Sequence, residues 1–460
     1  MIIIKNGTVI TEEGQVKKDI AILDNKIVKI EDHIENSVDD EVIDATNKIV
    51  FPGFIDGHTH LEMDAGSCFT ADSFESGTKA AVVNGTTSIV DFATQSKGQS
   101  LKMAYDEWMS KACNNSSCNY RFHMAITDWN DEVKDEILEM EKLGVTSFKM
   151  YMAYDNLLSN DQEIYEALKQ IKKVDHGLLG VHCENGLLVD AKREELACKN
   201  HLDPSAHPLS RPDIVEAEAI NRLAYIGKLV GHSVQVVHLS SALGLEEVRK
   251  ARKNGIDITV ETCPQYLLLD DSSYSLANFE GAKYVMSPPL RKKQDQEELL
   301  KAIVNNEVNT LATDHCSFNF SKDKELGLND FRKIPNGSPG IEHRPQLMFT
   351  KLVVGGYISL NKFSELMSTN AAKLYGMYPL KGTIKVGSDA DIVVWDSEVT
   401  SVISQKNQLQ NVDYTPYEGF EVKGLASYVI LNGKKVVENG KVVKENQGEY
   451  ILGKKGEKNV

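Results

Sequence analysis

Hydrophobic positions in the first fifty residues fall in short β-branched runs, MIIIKNGTVI, DIAILDNKIVKI and EVIDATNKIV, broken by turn signals at Glu13-Gly14 and Asp24-Asn25. Such runs predict a small sheet of hairpins. The same texture returns near the other end in ADIVVWD, ASYVILNGKKVVENGKVV and YILG, where Asn432-Gly433 and Asn439-Gly440 are strong hairpin turns. Two β segments, 1–50 and 376–440, therefore bracket the molecule, and a charged tail, 441–460, follows them. Between them, over 51–375, the pattern changes. Apolar strands such as TTSIVDF, YRFHMAI, VTSFKMYM, LLGVHCE, VQVVHLS, IDITVET and TLATDH alternate with helical stretches such as DEVKDEILEMEKLG and DQEIYEALKQIKKV. Strands without polar alternation are buried on both faces, and apolar residues at i, i+3 and i+4 mark helices that cover them. The chain is thus α/β, and the length and strand count favour a (β/α)8 TIM barrel over an open sheet.

Composition narrows the function classes. The 460 residues carry 67 Asp and Glu against 51 Lys and Arg, a formal charge of -16, so the mean field repels phosphate backbones and anionic lipid. Nucleic acid and membrane partners are not expected. No basic N-terminal segment leads into an apolar run, and no apolar run approaches the roughly 18 residues that span a bilayer. A cytoplasmic enzyme is the expectation. The seven cysteines are scattered, with no CxxC pair, and read as reduced thiols.

The first chemical signal is FPGFIDGHTH, where His58 and His60 lie two apart at the end of an apolar strand. Period two puts both imidazoles on one face, where they can share a metal ion. His-x-His also occurs as ordinary strand residues. Four more candidates close later apolar strands: Lys149 in TSFKMYMAY, His182 in GVHCEN, His238 in VVHLSS and Asp314 in LATDHC. In a barrel, the C-terminal strand ends are where catalytic side chains converge. Each histidine alone reads more simply as a satisfied core residue; the repeated placement favours a metal site. Lys149, between Phe148 and Met150, must either be desolvated as a cation or change its chemistry. A neutral amine beside cations can capture carbon dioxide and become an anionic carbamate; a lysine that snorkels to the rim is the alternative.

The segments PGFIDGHTHLEM, NGTTSIVDF, SFKMYMAY, VHCENG, VETCPQYLLLD, MSPPLR, ATDHC, PNGSPGIEHR and GTIKVGSDADIVVWD resemble the cyclic amidohydrolases over nearly the whole chain. The D-hydantoinase and dihydropyrimidinase branch is the most similar. That resemblance implies a barrel carrying a β-sandwich built from both chain ends, and two divalent metal ions per subunit, zinc or else manganese, cobalt or nickel. His58, His60 and Asp314 would hold one ion, His182 and His238 the other, and Lys149, carbamylated as N6-carboxylysine by carbon dioxide, would bridge both. Asp314 would move the proton, Tyr154 would stabilise the oxyanion, and Ser287 and Asn336 would hold the cyclic amide. A homotetramer with C-terminal segments reaching a neighbour is implied as well.

The resemblance implies opening of hydantoins or 5,6-dihydropyrimidines to N-carbamoyl amino acids. Dihydroorotases carry an arginine soon after the His-x-His pair; here Leu61-Glu62-Met63 stands there, and a negative Glu62 would repel a carboxylated ring. An allantoinase-like ureide hydrolase is an alternative, and a non-catalytic scaffold on the same fold is another. Met63, Ala65, Tyr151 and Leu158 suggest a roomier pocket for the exocyclic substituent, admitting an aryl group. Cys183 should point away from the metals, and Cys316, two beyond Asp314, reads as a packing thiol.

Overall fold

The computed structural model describes residues 1–452. Eight strands form one sheet whose neighbours all run parallel: Phe54–Thr59, Thr86–Thr94, Asn119–Ala125, Ser147–Tyr151, Leu178–His182, Val234–Val236, Ile258–Thr262 and Thr310–Leu311. A single parallel bridge, Thr59 to His315, brings the last strand's end against the first and nearly closes the ring. Helices alternate with the strands, as expected for a (β/α)8 barrel. Their starts follow the sequence. Asn130 caps Asp131–Lys142, and Asn160 with Glu163 forms a reciprocal capping box at Asp161–Ile171, each satisfying backbone N–H groups that the first turn leaves free.

The chain ends build two further sheets. One is four-stranded, from residues 2–44 alone; the other, seven-stranded, joins Thr8–Thr11, Gly14–Lys17 and Ile49–Pro52 to Ile392–Val402, Glu421–Leu431, Lys434–Glu438 and Lys441–Val442. Period two explains how the second sheet serves two cores. Ile392, Val394 and Ile430 face Ile4, Ile20, Ile22 and Ile43 of the first sheet, forming the sandwich interior. Val393, Trp395, Val429 and Leu431 point the other way and join the barrel's core. Both Asn-Gly turns have positive φ at each residue (50° and 73°, 51° and 69°), the conformation that a two-residue hairpin requires and that these residues tolerate.

The strand Ile49–Pro52 straddles the border expected at residue 51, and the barrel's first strand begins at Phe54. The tail up to Leu452 lies along this chain's own barrel: Gly448 N donates to Ser116 O at 2.8 Å, Ile451 N to Tyr120 O at 2.9 Å, and the Tyr450 ring packs on Tyr105, Tyr120 and Phe122. The charged stretch KKGEKNV lies outside the described residues. Among the described residues no helix is long and apolar enough to cross a membrane, and all seven cysteines are unpaired.

Candidate active site

The C-terminal strand ends gather His58, His60, Lys149, His182, His238 and Asp314. His58 is fully buried on the first strand, and its Nε2 lies 3.1 Å from Asp314 Oδ1; His60 Nε2 reaches the same oxygen at 3.3 Å. Lys149 Nζ sits 3.4 Å from His58 Nε2, and His182 Nδ1 faces His238 Nε2 at 3.1 Å. Facing nitrogen and oxygen atoms of His58, His238 and Asp314 fall within 4.8 Å of one another. Asp314 and His238 have positive φ, 54° and 41°, as does Tyr154 at 70°. Backbone held in this sparsely populated region stores strain, and here it aims three side chains inward.

Register explains how a lysine fits inside. Lys149 pairs with Ala125 on one side and Gly180 on the other, so its two neighbours on the inward face carry almost no side chain. Beneath it lies Phe92, whose ring is 4.7 Å from Nζ and also packs on His58 and His60. Lys149 is 1% exposed, so it does not snorkel. Burial pushes its amine down to about 8, leaving far more neutral amine near physiological pH than an ordinary lysine has.

The imidazoles are oriented from behind. His58 Nδ1 donates to Glu261 Oε1 at 2.6 Å, which turns Nε2 toward the centre. His182 Nε2 donates to Glu184 Oε2 at 2.8 Å, leaving Nδ1 to face inward, and Arg211 pairs with the same glutamate. Burial lowers His60 to about 4 and holds His238 well below its ordinary value. Burial would raise the Asp314 carboxyl, but the charge of His58 and hydrogen bonds from His58 and His60 hold it well below the usual range. His60 Nδ1 and His238 Nδ1 are buried without a hydrogen-bond partner among the described residues. Four imidazoles turned inward, an ionised carboxylate and a partly neutral amine form a donor set suited to divalent cations.

Above this cluster opens a cavity of about 640 Å3, lined by His60, Lys149, His182, His238 and Asp314 at its base and by Tyr151, Tyr154, Ser287 and Asn336 on its walls. Met63, Ala65 and Leu157 line it further out. Leu158 does not: its backbone bridges Tyr151, and the preceding Leu157 is the side chain turned to the cavity. Glu62 corrects a sequence expectation. With φ at 49°, its carboxylate turns back to accept the Phe74 N–H at 2.9 Å, at the start of the helix Phe74–Val83, so it does not line the cavity. Cys316 lines the cavity as well as packing, whereas Cys183 bonds back to Val181 O behind the sheet.

Sequence reasoning missed Glu184, Glu261 and Arg211. Glu184 stands two past His182 in VHCENG and so shares its face, a signal that could have found it. Nothing local marks Glu261, whose partner is 203 residues away.

The amidohydrolase family model matches residues 49–436. The chain is 44% identical to the D-hydantoinase of Geobacillus stearothermophilus over 452 residues, 98% of this chain and 96% of that one. It is 37% identical to the D-phenylhydantoinase of Escherichia coli (strain SE11), over 98% of this chain and 97% of the relative. The solved structure of dihydropyrimidinase from Brevibacillus agri superposes with a TM-score of 0.96 at 43% identity, covering 98% of each chain. Sequence motif, barrel and site geometry agree, and the chain belongs to the amidohydrolase family, in its D-hydantoinase and dihydropyrimidinase branch.

Proposed function

We propose that this cyclic amidohydrolase opens hydantoins or 5,6-dihydropyrimidines by hydrolysis to N-carbamoyl amino acids. The observation that carries the reading is the convergence of His58, His60, Lys149, His182, His238 and Asp314 beneath a cavity walled by Tyr154, Ser287 and Asn336. His58, His60 and Asp314 would hold one divalent ion and His182 and His238 a second. Lys149 would serve both as a carbamate, which its neutral amine would form with carbon dioxide on losing a proton. Zinc, manganese, cobalt and nickel all suit imidazole with carboxylate oxygen. Bound there, such ions polarise a carbonyl and lower the pKa of water toward neutrality.

The chain's own groups supply the remainder. Asp314, ionised and facing the cavity, accepts the proton of the attacking water and returns it to the ring nitrogen as the C–N bond breaks. Tyr154 keeps its proton, since burial raises its hydroxyl to about 12, and donates to the oxygen on which negative charge develops. Backbone groups at Ser287 and Asn336 hold the cyclic amide. Met63, Ala65, Tyr151 and Leu157 surround the exocyclic substituent, with space for an aryl group. A homotetramer in the cytoplasm fits the likeness to the branch.

A substrate panel on metal-replete protein tests this reading. Dihydrouracil, hydantoin, 5-phenylhydantoin and allantoin are followed for ring opening, with metal content measured on the same sample. Turnover of hydantoins or dihydropyrimidines with two equivalents of metal is expected; protein that holds two equivalents and opens none of these rings rules it out.

A further inference from the structure

Behind the cavity wall, Lys324 is fully buried, and among the described residues no carboxylate lies within ion-pair distance of it. Its three N–H donors instead meet three backbone carbonyls, Val285 O, Pro335 O and Gly337 O, each at 2.7 Å. An ammonium has three protons and no acceptor, so this set satisfies it completely. A cation buried without a countercharge is expensive, and carbonyl dipoles offset only part of the cost. The arrangement joins two separate loops. Val285 lies two residues before Ser287, and Pro335 and Gly337 flank Asn336 on both sides.

The loops also touch directly. Gly337 N donates to Val285 O at 3.1 Å, so that one carbonyl receives both the glycine amide and the lysine. Gly337 packs so closely on the cavity-lining Cys316 that a Cβ there would lie 2.4 Å from Cys316 O. The loop therefore has little room to move toward the barrel, and Lys324 fixes it against the Ser287 loop from behind.

We propose that Lys324 is a positioning residue, a buried clamp that sets the separation between the Ser287 and Asn336 loops and so shapes the seat of the cyclic amide. This rests on the reading of those two residues as the groups that hold the ring. Lys324 touches neither substrate nor the metal-binding cluster, so its loss should leave the metal in place and disturb only how the ring is seated.

The test compares the parent enzyme with Lys324→Met, which keeps the stem and removes all three donors, and Lys324→Gln, which keeps two. Each is purified at full length and metal-replete, and kcat, KM, metal content and thermal midpoint are measured with dihydrouracil and hydantoin. Loss of an interaction that holds substrate and transition state alike raises KM and leaves kcat little changed. The expected result is a fall in kcat/KM of about 10- to 100-fold for Met, carried mainly by KM, a smaller fall for Gln, and two equivalents of metal in both. If Met does not fold, Gln alone carries the test through the same KM rise at full metal content. Variants that keep the parent's KM, or that lose metal and activity together, overturn the clamp. A parent enzyme inert toward every ring overturns the functional reading, whereas an active parent matched by both variants overturns this inference alone.

Discussion

Glu261 accepts a 2.6 Å hydrogen bond from His58 Nδ1, and both groups are wholly buried. Because a carboxylate only accepts, the contact fixes a proton on Nδ1 and turns Nε2 toward Asp314 and Lys149. Groups that orient a ligating imidazole in this way typically matter about 10- to 100-fold in metal affinity. Glu261→Gln should therefore lower affinity by that factor, read as metal retained after dialysis against a graded chelator series. Unchanged retention would show that the tautomer is set elsewhere.

On the proposed bridge, Lys149 is the residue on which the metal count would depend. Without it, His182 and His238 alone would make too sparse a site to hold the proposed second ion firmly. Lys149→Ala should lose bound metal and activity, and added short-chain carboxylates should restore part of both by supplying the missing oxygens. Metal analysis with and without propionate decides it; a fully active alanine variant refutes the bridge.

Removing one donor to a developing oxyanion commonly costs about 100- to 1000-fold in kcat. Tyr154→Phe keeps the ring that packs 5.1 Å from His182 and deletes only the hydroxyl. Steady-state kinetics should show a kcat loss of that size, with metal content unchanged. A loss confined to KM would assign the hydroxyl to ground-state binding instead.

The outer cavity should accept a large substituent, because Ala65 and Leu157 line it and Glu62 is turned away to the helix start. Side-by-side assays should find 5-phenylhydantoin turned over at least as well as dihydrouracil. Strong preference for dihydrouracil would count against the aryl pocket.

Stability should carry a pH signature at Glu342, which is not part of the metal cluster. Burial raises its carboxyl from 4.5 to about 7, although Leu409 N and Gln410 N donate to it at 2.6 and 3.1 Å and act to lower it. The folded state thus binds more protons than the unfolded state between these values. Its contribution is fully present below 4.5 and is lost as pH rises through about 7. Glu342→Gln should have a thermal midpoint above the parent's at pH 8, with the difference vanishing or reversing near pH 4.5. A midpoint below the parent's at pH 8 would contradict this.

Much of the architecture was legible because burial leaves a local trace. Strands covered on both faces read as unbroken apolar runs, and Asn-Gly pairs announce two hairpins through the conformation that only such residues accept easily. The spacing of His58 and His60 and the polar residues closing later strands named the groups that converge. Leu158 and Glu62 show the limit. Both lie in loops, where no period fixes which way a side chain points, and the structure turns Leu157 to the cavity and Glu62 to a helix N-terminus.

The sequence by itself determined which chemical groups are available and which strand faces they occupy, since the alternation along a strand is a property of the local backbone. Only the tertiary structure decided their states. The proton on His58, the depressed amine of Lys149 beside Ala125 and Gly180, and the three carbonyls around Lys324 all depend on partners from other strands and loops. Hydrogen bonding and desolvation act over a few ångströms of space, whatever the distance along the chain, and that is why pattern alone could name these residues or miss them but could not assign what each one does.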